Sequence, residues 1–219
     1  MIRALGVLAL LPLAVPALPA QGRPELPSRT DTLVVRYQSR ILGQSIVGLT
    51  RRDGALVQVY VWTGALGQGS SIDSLVADPQ TLLPTRQVRV IGDSMVVVTF
   101  GGPTLRLQTF AAGRATSERE APGAPMLFSS GSLWMLAAAM PFTAGAASTV
   151  ATYYSVPTVN GIRETTLRTE GREMLNGREA WRVVADTPGG GTTFWVDAET
   201  RAVLQRDTLE GGALITFRR

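Results

Sequence analysis

The sequence predicts a mainly β protein, an antiparallel up-and-down curved sheet or half-barrel of about eleven or twelve strands with one short helix on its concave face. Three observations carry this. Apolar and polar residues alternate along much of the chain, as in Leu33-Val34-Val35-Arg36-Tyr37 and from Leu56 to Thr63. Asp53-Gly54, Asn160-Gly161 and Asn176-Gly177 stand between such stretches, and these dipeptides suit tight hairpins because both residues tolerate positive φ. Helical spacing occurs in one place, where Leu133, Leu136, Ala137 and Met140 recur at steps of three and four. Short turns between consecutive strands make neighbours antiparallel.

The chain opens with Met1-Ile2-Arg3 and an apolar run from Ala4 to Leu18, interrupted by Pro12 and Pro16. One charge, a short apolar core and small residues predict a secretory signal peptide over residues 1–20, cut after Ala20 or, as the rival, after Ala17. The run is too short and too broken to span a membrane comfortably, so no span is expected in the mature chain. The expected location is periplasmic or secreted. Residues 21–30, with Pro24 and Pro27, predict a flexible arm, and residues 31–219 a single β domain.

The first strands cover Leu33 to Gln38, Ser45 to Thr50 and Leu56 to Thr63, with Gly43 marking a bend or bulge. After a loop at Gly67 to Ser71 come Ile72 to Ala77 and Leu82 to Ile91, then hairpins through Gly92-Asp93 and Gly101-Gly102-Pro103. Ala115 to Glu120 is polar enough for a short exposed strand. Ala121 to Pro125 is a linker, one of Ser129, Ser130 and Ser132 caps the helix at 132–140, and Pro141 stops it. Strands return from Ala147 and continue to Phe217.

Two turns share one device. In Thr192 to Arg206 the Asp197 carboxylate can accept from backbone N–H groups near Thr200, and in Leu75 to Pro84 Asp78 stands in the same relation to Thr81, with Pro79 setting the turn. Asp78, Thr81, Asp197 and Thr200 are therefore read as structural. The two are either an internal duplication or two uses of one turn, and faint similarity outside them favours the second.

Composition removes whole classes of chemistry. There is no His and no Cys, and all 21 basic residues are Arg. Ser-His-Asp and thiol catalysis, Schiff-base lysines, P-loops, His-ligated zinc and disulfides are excluded. The net charge of +4 comes from arginines scattered mostly singly, without interleaved aromatics, so no nucleic-acid partner is expected. Glycine runs at Gly67-Gln68-Gly69 and Gly189-Gly190-Gly191 lack phosphate-loop context. Asp73 with Asp78, or Glu164 with Glu170, are carboxylate pairs for hydrolysis on paper, but they read as exposed strand faces or turns.

The long antiparallel sheet, the apolar helix, the leader and the Phe194-Trp195-Val196-Asp197 hairpin ending at Thr200 together resemble the bacterial periplasmic lipoprotein carriers and their outer-membrane receptors, nearest to uncharacterised members of that superfamily. The matching stretches are Leu75 to Pro84, Met140-Pro141-Phe142 before Gly145, and Thr193 to Arg206. The resemblance implies an open half-barrel whose concave face, covered by helix, holds acyl chains. It supplies structural turns and no catalytic or ligand-handling motif. The carriers also have more helix than this chain shows.

The expectation is a non-catalytic exported protein with no cofactor and no metal, binding an apolar or lipid-like ligand or an envelope partner in a half-barrel cavity. Tyr60, Trp62, Trp134, Leu136 and Met140 are the expected lining. A structural or interaction module of the envelope with a filled core is the alternative, and a carboxylate-dependent secreted hydrolase a more distant one.

Overall fold

Period-two alternation fixes which face of each strand turns inward, and in the computed structural model the inward sets converge on one hollow. The structure describes residues 24–64, 70–156, 159–188, 190–210 and 212–219. The expected leader and residues 67–69 of the expected loop lie outside them. The first run comprises β1 (Arg29–Tyr37), β2 (Arg40–Arg52), β3 (Ala55–Gly64), β4 (Ser71–Ala77), β5 (Pro84–Ile91), β6 (Ser94–Gly101), β7 (Thr104–Ala111) and β8 (Arg114–Pro122). Then come β9 (Leu127–Ser129), a 3-10 turn at Ser130–Ser132 and α1 (Leu133–Ala139). The second run is β10 (Ala147–Val156), β11 (Val159–Leu175), β12 (Arg178–Thr187), β13 (Gly190–Asp197), β14 (Val203–Glu210) and β15 (Ala213–Arg218).

All fifteen strands form one sheet, in the order β8-β7-β6-β5-β4-β3-β2-β1-β15-β14-β13-β12-β11-β10-β9. The sheet is large, open and curved, and does not close into a barrel. Its middle is the pairing of the first and last strands, Val34 opposite Arg218 and Tyr37 opposite Ile215. Its two edges, β8 and β9, are neighbours in sequence. They are not hydrogen-bonded to each other, but β6 and β7, next to one edge, meet β9 and β10 at the other. Val98, Leu105 and Leu107 pack with Leu127 and Tyr153 in a second apolar cluster.

Several expectations change. Among the described residues the strands number fifteen instead of about eleven or twelve; β9, three residues long, is too short to show alternation. Pairing is antiparallel except between β9 and β10, which run parallel. That parallel pair needs a crossover, and the 3-10 turn and α1 supply it. Asn160-Gly161 lies within β11, opposite Ser155 and Tyr154, and is not the expected turn. Asp53-Gly54 and Asn176-Gly177 do turn, with φ of 52° and 76° and of 53° and 77°, as a type I′ hairpin requires. The arm is anchored where the structure describes it: Leu26 is buried in the main core, Glu25 pairs with Arg51, and Arg29 and Thr30 already belong to β1.

Candidate functional site: the hollow, its helix and the rim

The hollow is filled from within. Every residue of α1 is buried. A seven-residue helix has too little internal bonding to persist alone, so its place is set by packing and by polar contacts at both ends.

At the entry end, Ser129 and Ser132 form a capping box around the 3-10 turn: Gly131 N–H donates to Ser129 Oγ at 3.1 Å, and Ser129 N–H to Ser132 Oγ at 3.2 Å. The Ser129 hydroxyl donates to Gln87 Oε1 at 2.6 Å. Gln87 Nε2 donates to both Asp73 oxygens at 2.8 and 2.9 Å, and Arg89 donates to Asp73 Oδ2 from Nε at 3.0 Å and Nη2 at 2.7 Å. From β3, Gln58 Nε2 donates to Gly131 O at 2.9 Å. This strip lies across three strands of the inner face and fixes the segment that enters the hollow. Asp73 is thus an inward, largely buried ion-pair member, unlike the exposed carboxylate expected.

At the exit end, Arg201 Nη1 donates to Ala138 O at 2.9 Å and Met140 O at 3.1 Å. A cation suits the carbonyl end of a helix. The same guanidinium lies 3.9 Å from the Phe142 ring centre, Phe142 stacks on Trp181 at 5.5 Å, and Arg172 covers Trp181 at 5.0 Å. Burial lowers the Arg201 pKa from its ordinary value. Arg201 is itself presented by the Asp197 turn. Asp197 Oδ1 accepts from Glu199 N at 3.2 Å, Thr200 N at 2.7 Å and Thr200 Oγ1 at 2.7 Å, and Arg178 pairs with its other oxygen at 2.8 Å. Burial pushes the Asp197 carboxyl up, but the two Thr200 donors, Arg178 and the Glu199 N–H outweigh it, and the net shift is down.

The Asp78 turn repeats this geometry. Asp78 Oδ1 accepts from Gln80 N at 3.0 Å, Thr81 N at 2.7 Å and Thr81 Oγ1 at 2.8 Å. The Thr81 backbone N–H leads, with its hydroxyl, in drawing the Asp78 pKa down. Leu82, with φ of 59°, stands where Arg201 stands with 58°, and it is buried in the main core.

The expected ligand-lining residues are all in or against that core. Leu136 and Met140 are 0 % exposed and Trp134 7 %. Tyr60 and Trp62 are half-buried against the core. Tyr60 and Phe194 lie 6.5 and 5.8 Å from the Trp134 ring, and Arg206 covers it at 5.5 Å. The space left beside Trp134, between Arg29, Gln58 and Met135, is about 10 Å³, no more than one water needs. The open space is at the rim: a cleft of about 130 Å³ between the β6–β7 turn and the segment joining the two sheet edges, lined by Leu83, Phe100, Leu105, Pro125, Met126 and Leu127. No sequence pattern marks it, because it depends on where two distant edges meet.

Of the carboxylate pairs, Asp73 and Asp78 are held by the contacts just described. Glu164 is exposed on β11, and Glu170 is paired with Arg168 at 3.2 Å and Arg182 at 2.6 Å. Among the described residues no cluster of three acidic side chains is placed to hold a metal, and no helix is long and apolar enough to cross a membrane. The chain matches no protein-family model and no curated protein, so no relative supports the resemblance to the lipoprotein carriers.

Proposed function

We propose that this chain is a non-catalytic exported envelope protein that binds an apolar, lipid-like group, and that the group enters the rim cleft rather than the helix-filled hollow. The observation that carries this reading is the cleft itself, open, of about 130 Å³ and lined by Leu83, Phe100, Leu105 and Leu127. Binding pockets are typically apolar with few polar groups, and a cavity of about 150 Å³ admits a benzene-sized ligand. The end of an acyl chain, or one large apolar side chain of a partner, matches that size. The absence of His, Cys and Lys leaves few groups for bond-making and suits a binding role.

A second reading has its own support. A hollow filled by α1 is what a structural or interaction module of the envelope would have, with no ligand at all.

A fatty-acid-like fluorescent probe titrated into residues 21–219 separates the two. Uptake at micromolar concentration is expected, and Met126→Glu, at a side chain 42 % exposed, should weaken it at least tenfold with an unchanged melting temperature. A probe in the cleft leaves Trp134 emission unaltered, whereas a shift in that emission on uptake would place the ligand in the hollow. No uptake would leave the structural module standing.

A further inference from the structure

An antiparallel sheet that packs on one side normally shows polar residues on the other. β11 and β12 of the second half do so, their outward positions including Arg168, Glu170 and Arg182, joined in ion pairs, and the exposed outward apolar residues of β14 and β15 are confined to the pair Leu209 and Leu214. The first half does not. Following the pairing register from β2 to β7, the outward positions Ile46, Val61, Ile72, Val90, Met95 and Phe110 are directly opposite one another. They form one unbroken apolar row across six strands. In the next row stand Val59, Val88 and Val97, and Val57 pairs with Val76 in the third. Ile46 is 39 % exposed and Ile72 45 %. β3 and β6 are thus apolar on both faces, the pattern of strands buried on both sides.

We propose that this outer face of β2–β7 is the contact surface between two copies of the chain, packed sheet against sheet. Eleven apolar positions, each covering about 4.8 by 6.8 Å of sheet, make an apolar centre of roughly 350 Å². With a polar rim around it, that suits a standard interface of about 800 Å² per partner. The rim carries both signs on one surface: Arg86 and Arg106 on one side of the charge balance, Glu118 and Glu120 on the other, with Arg106 Nε 2.6 Å from Glu118 Oε1. A balanced rim can complement itself about a two-fold axis. An anionic membrane would call for a basic rim, and for the Trp and Tyr that gather at lipid interfaces, whereas Tyr60 and Trp62 point to the inner face of β3.

Residues 21–219 analysed by sedimentation from about 1 to 100 μM, the range of an ordinary reversible dimer, test the proposal. A mass twice that of the chain is expected in the upper range. Ile72→Arg and Ile46→Arg, each at an exposed position, should each halve the mass while melting cooperatively. Val184→Arg, outward on the other half of the sheet opposite Arg168, should remain dimeric. A wild-type monomer throughout the range overturns the proposal, as does a dimer that a cooperatively folded Ile72→Arg or Ile46→Arg chain retains. A monomer that floats with phosphatidylglycerol vesicles overturns it in favour of a lipid surface.

Discussion

Asp197 and Asp78 do the same work in different surroundings, and the surroundings set what each is worth. Asp197 is 2 % exposed and accepts three hydrogen bonds while pairing with Arg178. Its turn also carries Arg201 to the end of α1. Asp197→Ala should cost about 2–3 kcal/mol of unfolding free energy, and Asp78→Ala, at an exposed turn, about 1 kcal/mol, read from denaturant midpoints. Both carboxyls have folded pKa values below the ordinary one. The stability they contribute is therefore complete above the unfolded value of about 3.9 and is lost as pH falls through the folded values. Melting temperature should drop steeply below about pH 4, and less steeply in Asp197→Asn. These turns were legible because a carboxylate and a threonine three residues on form a local device. Asp73 was misread although its signal was present. It shares the inward period with Leu75 and Ala77, and only Gln87 and Arg89 on the neighbouring strand make burying it tolerable.

The one helix illustrates how little of an element's position lies in its own residues. The apolar spacing from Leu133 to Met140 marked α1, and the structure turns all of it inward, Trp134 included, because sheet side chains surround it. β9 left no trace in the pattern, being three residues, and with it went the parallel pairing and the seam where the cleft lies. What holds α1 is non-local: Gln58, Gln87 and Ser129 at one end, and Arg201 at the other. Arg201→Ala leaves the carbonyls of Ala138 and Met140 without this donor and uncovers Phe142. We expect a loss of about 1–3 kcal/mol, accompanied by a red shift of Trp134 emission as the helix end loosens. Arg201→Lys should recover less than half of that loss, because one ammonium cannot both bridge two carbonyls and stack on a ring. Full recovery by lysine would show that charge alone matters.

Across the molecule β1–β6 and β10–β15 are two six-stranded meanders, joined where β1 meets β15, with β7 and β8 extending the first and β9 the second. Two of their turns correspond. Asp53-Gly54 after β2 answers to Asn176-Gly177 after β11, and the Asp78 turn after β4 answers to the Asp197 turn after β13, down to the left-handed residues Leu82 and Arg201. Equivalent positions in equivalent meanders favour the duplicated architecture over two chance uses of one turn, a relation that faint sequence similarity concealed. The sheet order has a further consequence. Read from β9 to β15 and on from β1 to β8, every strand follows its neighbour. The connection from β8 to β9 joins opposite edges, and the β1–β15 ladder joins opposite ends of the chain. A circular permutant that begins at Met126, links Arg219 to Pro24, and ends at Pro125 would have strands in sheet order throughout. Arg219 lies beside Leu33, about 14 Å along the strand from the start of β1, and residues 24–28 add at most about 17 Å, so a Gly/Ser linker of about ten residues, up to about 33 Å when extended, spans the distance. The permutation converts the most non-local ladder into a local one, and folding rate falls with the sequence separation of contacts. We expect native-like circular dichroism and refolding several-fold faster than the parent by stopped-flow fluorescence. Its melting temperature should fall by a few degrees, because the cut releases the seam. A permutant that fails to refold would show that the four-residue tie between the sheet edges, and not the ladder order, directs closure of the hollow around α1.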